Sequence, residues 1–402
     1  MNRYAEEQAY LVIPYDEFNS VSEIRAMVYD QDGKKVRTLK KKDIEDYSNF
    51  SSYSVLSDNR WKVADLQYQD YPYTIEYSYR ITSTNMMFYP IWEPLSNEKV
   101  ALEQGSFQVT VPEGLKFLYQ EYNIKEPTIV DTNDGKQYTW RLNNKRPIEL
   151  EPLMASPYEA MPAVVTAPTV FQVQGYTGDM SSWQSYGDFF RRLNEGRNDL
   201  PEEKRAEYWQ IAAAYTTTED KVRALYQNLQ SNTRYVSIQL GLGGWQPFKT
   251  GFVAKQGYGD CKALSFYMQA MLEAAGIPSY YTLVKAGPGA LGWALNDDFP
   301  YNSFNHAILG VPDGADTLWL ECTSQTGPFN NPGLFTGNRE ALMITENGGA
   351  VVKIQQYTPQ DNATYTWAEV QIDEQGHAKL DFSTQCQGMS YDLLDIGTIQ
   401  QE

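Results

Sequence analysis

Over its first 175 residues the chain alternates apolar and polar side chains at the period of a strand. Residues 8–15 (QAYLVIPY), 23–29 (EIRAMVY), 72–82 (YPYTIEYSYRI), 106–111 (SFQVTV) and 137–142 (QYTWRL) are β-rich runs of this kind. Every second side chain of such a run meets the same face. Gln31-Asp32-Gly33 and Asn133-Asp134-Gly135 stand between runs and predict hairpin turns, because Gly and Asn reach the positive φ that tight hairpins demand. Short strands with turns between them predict an N-terminal all-β sandwich over 1–175. Lys34, Lys35, Arg37, Lys40, Lys41 and Lys42 cluster inside it, as on an edge strand guarded by lysines. Five prolines (Pro147, Pro152, Pro157, Pro162 and Pro168) predict an extended connector or edge strand leaving this region.

The period then becomes helical. Residues 181–195 run to Gly196, and 201–214 open with Pro201 in a first helical turn. Residues 217–230 follow a Thr216–Glu219 capping box and place Val222, Leu225, Tyr226 and Leu229 on one face. Six glycines in 232–259 read as mostly loop. A helix over 261–275 stops at Gly276, with Pro278 just beyond. The β-rich runs 279–285, 305–311 and 316–322 come next, so 176–355 predicts an α+β core. Residues 364–372 and 378–383 flank a turn at Asp373–Gly376, the expected start of a C-terminal β-domain, 356–402, left incomplete here. The chain is thus expected to be multidomain.

Charge narrows the partners. With 33 basic and 51 acidic residues the net charge is −18, which repels phosphate backbones and excludes nucleic acid and anionic lipid as natural partners. No run of 18 apolar residues exists, so no transmembrane segment is expected. Met1-Asn2-Arg3-Tyr4 lacks the basic start and apolar core of a signal peptide, leaving a cytoplasmic protein or an exported one whose leader is absent. Three cysteines and two histidines are too few, and too irregularly spaced, for a zinc site. Asp131 and Asp134 lie in a hairpin rather than an EF-hand loop, and GLGG at 241–244 lacks the ending of a phosphate loop, so no metal or cofactor is expected.

The chemistry gathers elsewhere. In Gly259-Asp260-Cys261-Lys262, Asp260 is placed to cap the helix that begins at Cys261. The thiol would then sit on the first turn, at an exposed mouth, where the helix dipole favours a thiolate. Ala263, Phe266, Tyr267, Ala270, Met271 and Ala274 supply the helix with a buried face. If Asp313-Gly314 is the tip of the following hairpin, Ala307 opposes Leu320 and His306 opposes Glu321. A carboxylate on one ring nitrogen fixes the tautomer and raises the basicity of the other, the base-and-orienter half of a nucleophilic triad. Cys261 could equally be a small core residue, and His306–Glu321 a plain cross-strand pair; their coincidence favours catalysis. Cys322 should face the core, and His377, just after a turn, should be a surface residue.

The runs GYGDCKALSFYMQAMLEAAGIPSYY, NSFNHAILGV and DTLWLECTSQ resemble the transglutaminase-like core of the papain-like cysteine superfamily. RYVSIQLGLGGWQPFKTGFVAKQGYGDCKA is similar to bacterial members that carry an N-terminal β-domain of unknown function. The resemblance implies a catalytic triad of Cys261 as nucleophile, His306 as general base and then acid, and Glu321 as orienter where most members have Asp. It implies attack on protein or peptide amides, giving a peptidase, amidase or acyl transferase without cofactor. It also implies export to the periplasm or cell envelope. An oxyanion hole would use the Cys261 N–H and a donor from the glycine-rich loop, Trp245 or Gln246 ahead of Gln256. Hydrolysis leads transfer, since water needs no second binding site. Two other readings stand beside the enzyme: a non-catalytic interaction protein that keeps the core, and a carbohydrate- or envelope-binding protein.

Overall fold

The computed structural model describes residues 3–49, 54–95, 99–149, 151, 157–287 and 295–394. Pro152 and the terminal Met1, Asn2, Gln401 and Glu402 lie outside the described residues. The chain divides into two units: residues 1–189, 236–246 and 296–302 form the first, and 190–235, 247–295 and 303–402 the second.

The first unit is β-rich, as its alternation predicts. Tyr10–Tyr15 and Glu45–Ser48 both pair antiparallel with Arg60–Asp65. Asn19–Tyr29 lies between Lys35–Thr38 and Thr74–Ser83. Leu11 and Ile13 turn inward at every second position and join Ala26, Val28, Ala64, Leu66 and Tyr73 in one core. Lys35–Thr38 is the expected edge strand. A further sheet centres on Gly135–Lys145, between Thr128–Thr132 and Leu102–Val111. Its Trp140 is fully buried among the rings of Phe107, Tyr119 and Tyr138.

Of the two forms expected for the proline-rich stretch, connector or edge strand, its second half is a strand. Ala163–Pro168 is a strand buried along its whole length. It pairs antiparallel with Phe117–Tyr122 and bridges Trp92 on its other side through Val164. Pro162 precedes this strand and Pro168 ends it, so the N–H groups from Ala163 to Ala167 are intact; the prolines delimit the strand rather than break it.

In the second unit the helices Glu202–Ala213, Thr218–Asn232 and Cys261–Ala274 match the sequence pattern. The middle one is capped one residue later than expected: Thr217, not Thr216, accepts the Asp220 N–H at 3.1 Å. A run of three threonines, Thr216 to Thr218, offers three hydroxyls, and packing selects among them. The glycine-rich stretch holds a missed helix, Thr250–Gln256, closed by Gly257 at φ +66°. A left-handed residue at that position costs glycine nothing.

Five antiparallel strands form the core sheet, in the order Asp316–Leu320, His306–Asp313, Tyr280–Val284, Glu340–Thr345, Gly348–Lys353. The apolar stripe of Cys261–Ala274 (Ala263, Leu264, Tyr267, Met268, Met271) packs with Leu309, Val311, Leu318, Leu320 and Cys322. Val284, Ile308, Trp319, Ala341 and Met343 form a separate cluster with Ile354. Residues Thr364–Ile372 and Ala378–Cys386 make the expected C-terminal hairpin, whose first strand is exposed throughout.

Candidate active site

Cys261 opens its helix. The Asp260 carboxylate caps it by accepting the Ala263 N–H at 3.0 Å. The same carboxylate receives Lys262 Nζ at 2.6 Å, both side chains being buried. A Cβ at residue 259 would stand 2.8 Å from that of Ala263, so the approach to the helix requires the glycine found there. The thiol is not at an exposed mouth: Cys261 is only 4% exposed. The first turn faces the core rather than solvent. Cys261, Lys262, Ala263, Leu264 and Ser265 are all buried, and Ser265 Oγ donates to the Ala307 carbonyl at 3.0 Å.

His306 begins its strand, and Glu321 lies one residue beyond Asp316–Leu320. Their register differs from expectation. Leu309 opposes Leu320 and Asp313 opposes Asp316, so the turn tip is Gly314-Ala315, with Gly314 at φ +65°. Moving the tip by one residue slides the pairing by two. A two-residue slip keeps every side chain on its face, so His306 and Glu321 become diagonal rather than direct neighbours. They still meet: His306 Nε2 lies 3.1 and 2.9 Å from the two Glu321 oxygens. The longer glutamate side chain spans the diagonal.

Glu321 is itself held. Thr323 donates its backbone N–H to Oε1 at 3.1 Å and its hydroxyl to the same oxygen. Tyr226 Oη donates to the Glu321 carbonyl at 2.8 Å. Cys261 and His306 lie close enough for each to shift the other's protonation, and with Nε2 taken by Glu321, Nδ1 is the ring nitrogen that remains for a thiol. The Phe335 and His306 rings meet in a T-shaped contact, centroids 5.0 Å apart and planes at 69°. Asn305 clamps the strand before His306, accepting the Ala286 N–H at 2.7 Å and donating to its carbonyl at 3.1 Å.

The charges follow from this packing. Burial pushes the Cys261 thiol up, but the hydrogen bond to His306 and the charges of Lys262 and His306 bring it below the ordinary thiol value. Burial pulls His306 down, yet the Glu321 carboxylate and the Cys261 hydrogen bond push it up to about 10. Burial raises Glu321, and the His306 charge with the bonds from His306 and Thr323 holds it below the ordinary carboxylate value. At Cys322 burial and the nearby Glu321 charge drive the thiol up. Two buried thiols are thus driven in opposite directions, as expected where only one faces an imidazole.

Cys261, His306 and Glu321 therefore come together. Trp245 and Gln246 belong to the first unit, and the Cys-His-Glu cluster lies within the second. In that first unit the Trp245 ring packs against Phe18 and Phe88, at centroid distances of 5.6 and 5.8 Å. Sequence reasoning missed Lys262, Asn305, Thr323 and Phe335. Of these, only Thr323, two residues after a carboxylate in a turn-rich stretch, carries a local signal.

Comparisons with known proteins fit this picture. Residues 1–149 match the family described as "Domain of Unknown Function with solved-structure structure (DUF3857)". Residues 209–323 match the transglutaminase-like superfamily and include Cys261, His306 and Glu321. No curated protein matches the chain. Among solved structures, "a putative protease from Parabacteroides distasonis" is 17% identical, with a TM-score of 0.64 over 89% of this chain and 66% of that one. The chain thus spans just under two thirds of that structure's length, and the likeness concerns the fold. "A putative cysteine protease from Cytophaga hutchinsonii" (10% identity, 94% and 92% covered) has a TM-score of only 0.28. The periplasmic domain of TgpA from Pseudomonas aeruginosa (15% identity, 78% and 92% covered) has one of 0.24.

Proposed function

We propose that this chain, which joins a DUF3857 domain to a transglutaminase-like core, is a cysteine-dependent enzyme acting on protein or peptide amides. The observation that carries the reading is the meeting of a buried Cys261, at its helix start, with the buried His306–Glu321 pair, in which Glu321 occupies Nε2 at 2.9 Å and leaves Nδ1 for the thiol. In this mechanism the thiolate attacks the amide carbonyl and forms a C–S bond, and the carbonyl π electrons move to oxygen. As the tetrahedral species collapses, the C–N bond breaks and the His306 imidazolium gives its proton to the departing amine. Neutral His306 then removes a proton from water, whose oxygen attacks the thioester and releases the acid. The thiolate leaves and the imidazolium is restored. Glu321 holds the ring and stabilises its charge. Water is the simplest acceptor; an amine in its place would make the enzyme an acyl transferase.

The Cys261 backbone N–H is the first donor assigned to the oxyanion. For the second, Trp245→Phe and Gln246→Ala are the test. The true donor, when removed, lowers turnover about a hundredfold and leaves Cys261 alkylation unchanged. The same reading keeps the division 1–175, 176–355 and 356–402, with export to the periplasm or cell envelope; cell fractionation tests the latter. No helix among the described residues is long and apolar enough to cross a membrane.

The burial of Cys261 favours one competing reading, a non-catalytic interaction protein with an occluded thiol. Alkylation of the three cysteines against pH, followed by mass spectrometry in wild type and His306→Ala, separates the two. The enzyme requires Cys261 alone to react well below a thiol pKa of about 8.5, and to lose that property without His306. A Cys261 no more reactive than Cys322 supports the scaffold.

A further inference from the structure

The Phe335 ring lies against His306 although it is 41% exposed, and its position depends on a very short helical turn, Gly333–Thr336. The first N–H groups of any helix lack partners within it. Pro332, at the capping position, has no side chain able to accept them. The acceptors come from farther along the chain: Tyr357 Oη takes the Gly333 N–H at 3.2 Å, and the carboxylate Asp392 Oδ2 takes the Leu334 N–H at 2.6 Å. A Cβ on residue 333 would stand 2.0 Å from that oxygen, and Gly333 sits at φ +56°, so the carboxylate seats only because a glycine is there. Asp392 belongs to the segment Gly388–Leu394, which follows the C-terminal hairpin. That segment is tied to the chain just before the hairpin, where Asn362 Oδ1 accepts the Met389 N–H at 2.8 Å and the Asn362 carbonyl accepts the Ser390 hydroxyl at 2.8 Å. A continuous path of hydrogen bonds and ring contact thus joins the base of the C-terminal hairpin to the imidazole.

We infer that Asp392 is a positioning residue for His306: its carboxylate caps the Gly333–Thr336 turn and so holds Phe335 against the imidazole. This inference rests on the catalytic reading above. An imidazolium whose edge meets the face of an aromatic ring, as a T-shaped pair allows, is stabilised in its charged form, and a charged His306 favours the Cys261 thiolate. Releasing Phe335 lowers the basicity of His306 and raises that of the thiol.

The test uses the full chain with Asp392→Ala, Asp392→Asn, Phe335→Ala and the double variant Asp392→Ala/Phe335→Ala. Asp392→Ala is expected to move the alkylation profile of Cys261 to higher pH by about half a unit, the size of a partly exposed cation–π contact. Asp392→Asn keeps an oxygen acceptor and is expected to restore the wild-type profile. In the Phe335→Ala background, Asp392→Ala is expected to add nothing. Backbone hydrogen exchange over residues 333–337 should speed up in Asp392→Ala and not in Asp392→Asn, whatever the reactivity of Cys261. Unchanged exchange in Asp392→Ala overturns the inference. So does a wild-type profile in Asp392→Ala, or an equal shift with and without Phe335. A wild-type Cys261 with ordinary reactivity, alongside the exchange response, instead overturns the catalytic reading and leaves the clamp as a structural element only.

Discussion

The chain has two histidines, and each sits 2.9 Å from a carboxylate oxygen. His377 pairs with Asp373 across the turn of the C-terminal hairpin, with side chains 81% and 48% exposed. His306 pairs with Glu321 in the core sheet, at 8% and 12%. Contact chemistry and distance are the same; the surroundings differ. In water an ion pair gains little, because solvent screens each partner as well as the other does. In the core the two groups have little water to turn to, so the carboxylate governs the imidazole and pushes it up to about 10 against the pull of burial. Asp373 is held below its ordinary value chiefly by the His377 backbone N–H, which makes it part of a turn more than half of an ion pair. Proximity alone does not make a site; proximity plus desolvation does.

Buried charge should therefore dominate every perturbation. The largest effect is expected at Asp260, which caps the nucleophile helix and neutralises the buried Lys262. Asp260→Ala leaves that ammonium without its partner and should cost about 3–5 kcal/mol in urea denaturation. A cost no greater than that of an exposed pair would break the comparison.

Next comes His306→Ala, for which alkylation of Cys261 at pH 6.5 should fall about a hundredfold, the gap between an ionised thiol and one of pKa near 8.5. The pH dependence of stability sharpens the point. The folded His306 is held above its ordinary value of 6.5, so its contribution is complete below that pH and is lost as pH rises towards about 10. The stability difference between wild type and His306→Ala should shrink across that window, as read from denaturation midpoints.

Glu321→Gln keeps an acceptor for Nε2 but removes the charge. It should lower the imidazole and shift the Cys261 alkylation profile to higher pH by about one unit. The smallest effect belongs to Asp373→Ala. It should change neither the Cys261 profile nor, beyond experimental scatter, the melting temperature. A response at Cys261 would mean that the hairpin turn communicates with the site.

Much of this was legible beforehand because it is local. The Asp260 cap, the helix from Cys261 and its apolar stripe follow from spacing and side-chain chemistry within a few residues. So do the strand alternation of residues 10–15 and the lysine-guarded edge at 35–38. The pairing of His306 with Glu321 was found through a register two residues off, and it survived because face parity is unchanged by an even slip. What was missed is non-local. Nothing near Ala163–Pro168 announces Trp92 and Phe117–Tyr122 as its neighbours, so the prolines left connector and edge strand undecided and gave no sign of full burial. The thiol was expected at a mouth because helix capping says nothing about what packs over the first turn. Lys262 drew no reading of its own, although its partner stands two residues away, because burial is a property of the whole unit.

The sequence by itself determined the long helices and most strands of the core, to within a residue or two, and which side chains could carry nucleophilic chemistry, since propensity, capping and periodicity act over one or two turns of chain. Only the tertiary structure decided that Cys261 and Lys262 are buried, that Glu321 reaches Nε2 along a diagonal, and that Asp392 caps a turn 58 residues away to hold Phe335. Desolvation and long-range contact depend on every element that packs around a group, and no window of sequence contains them.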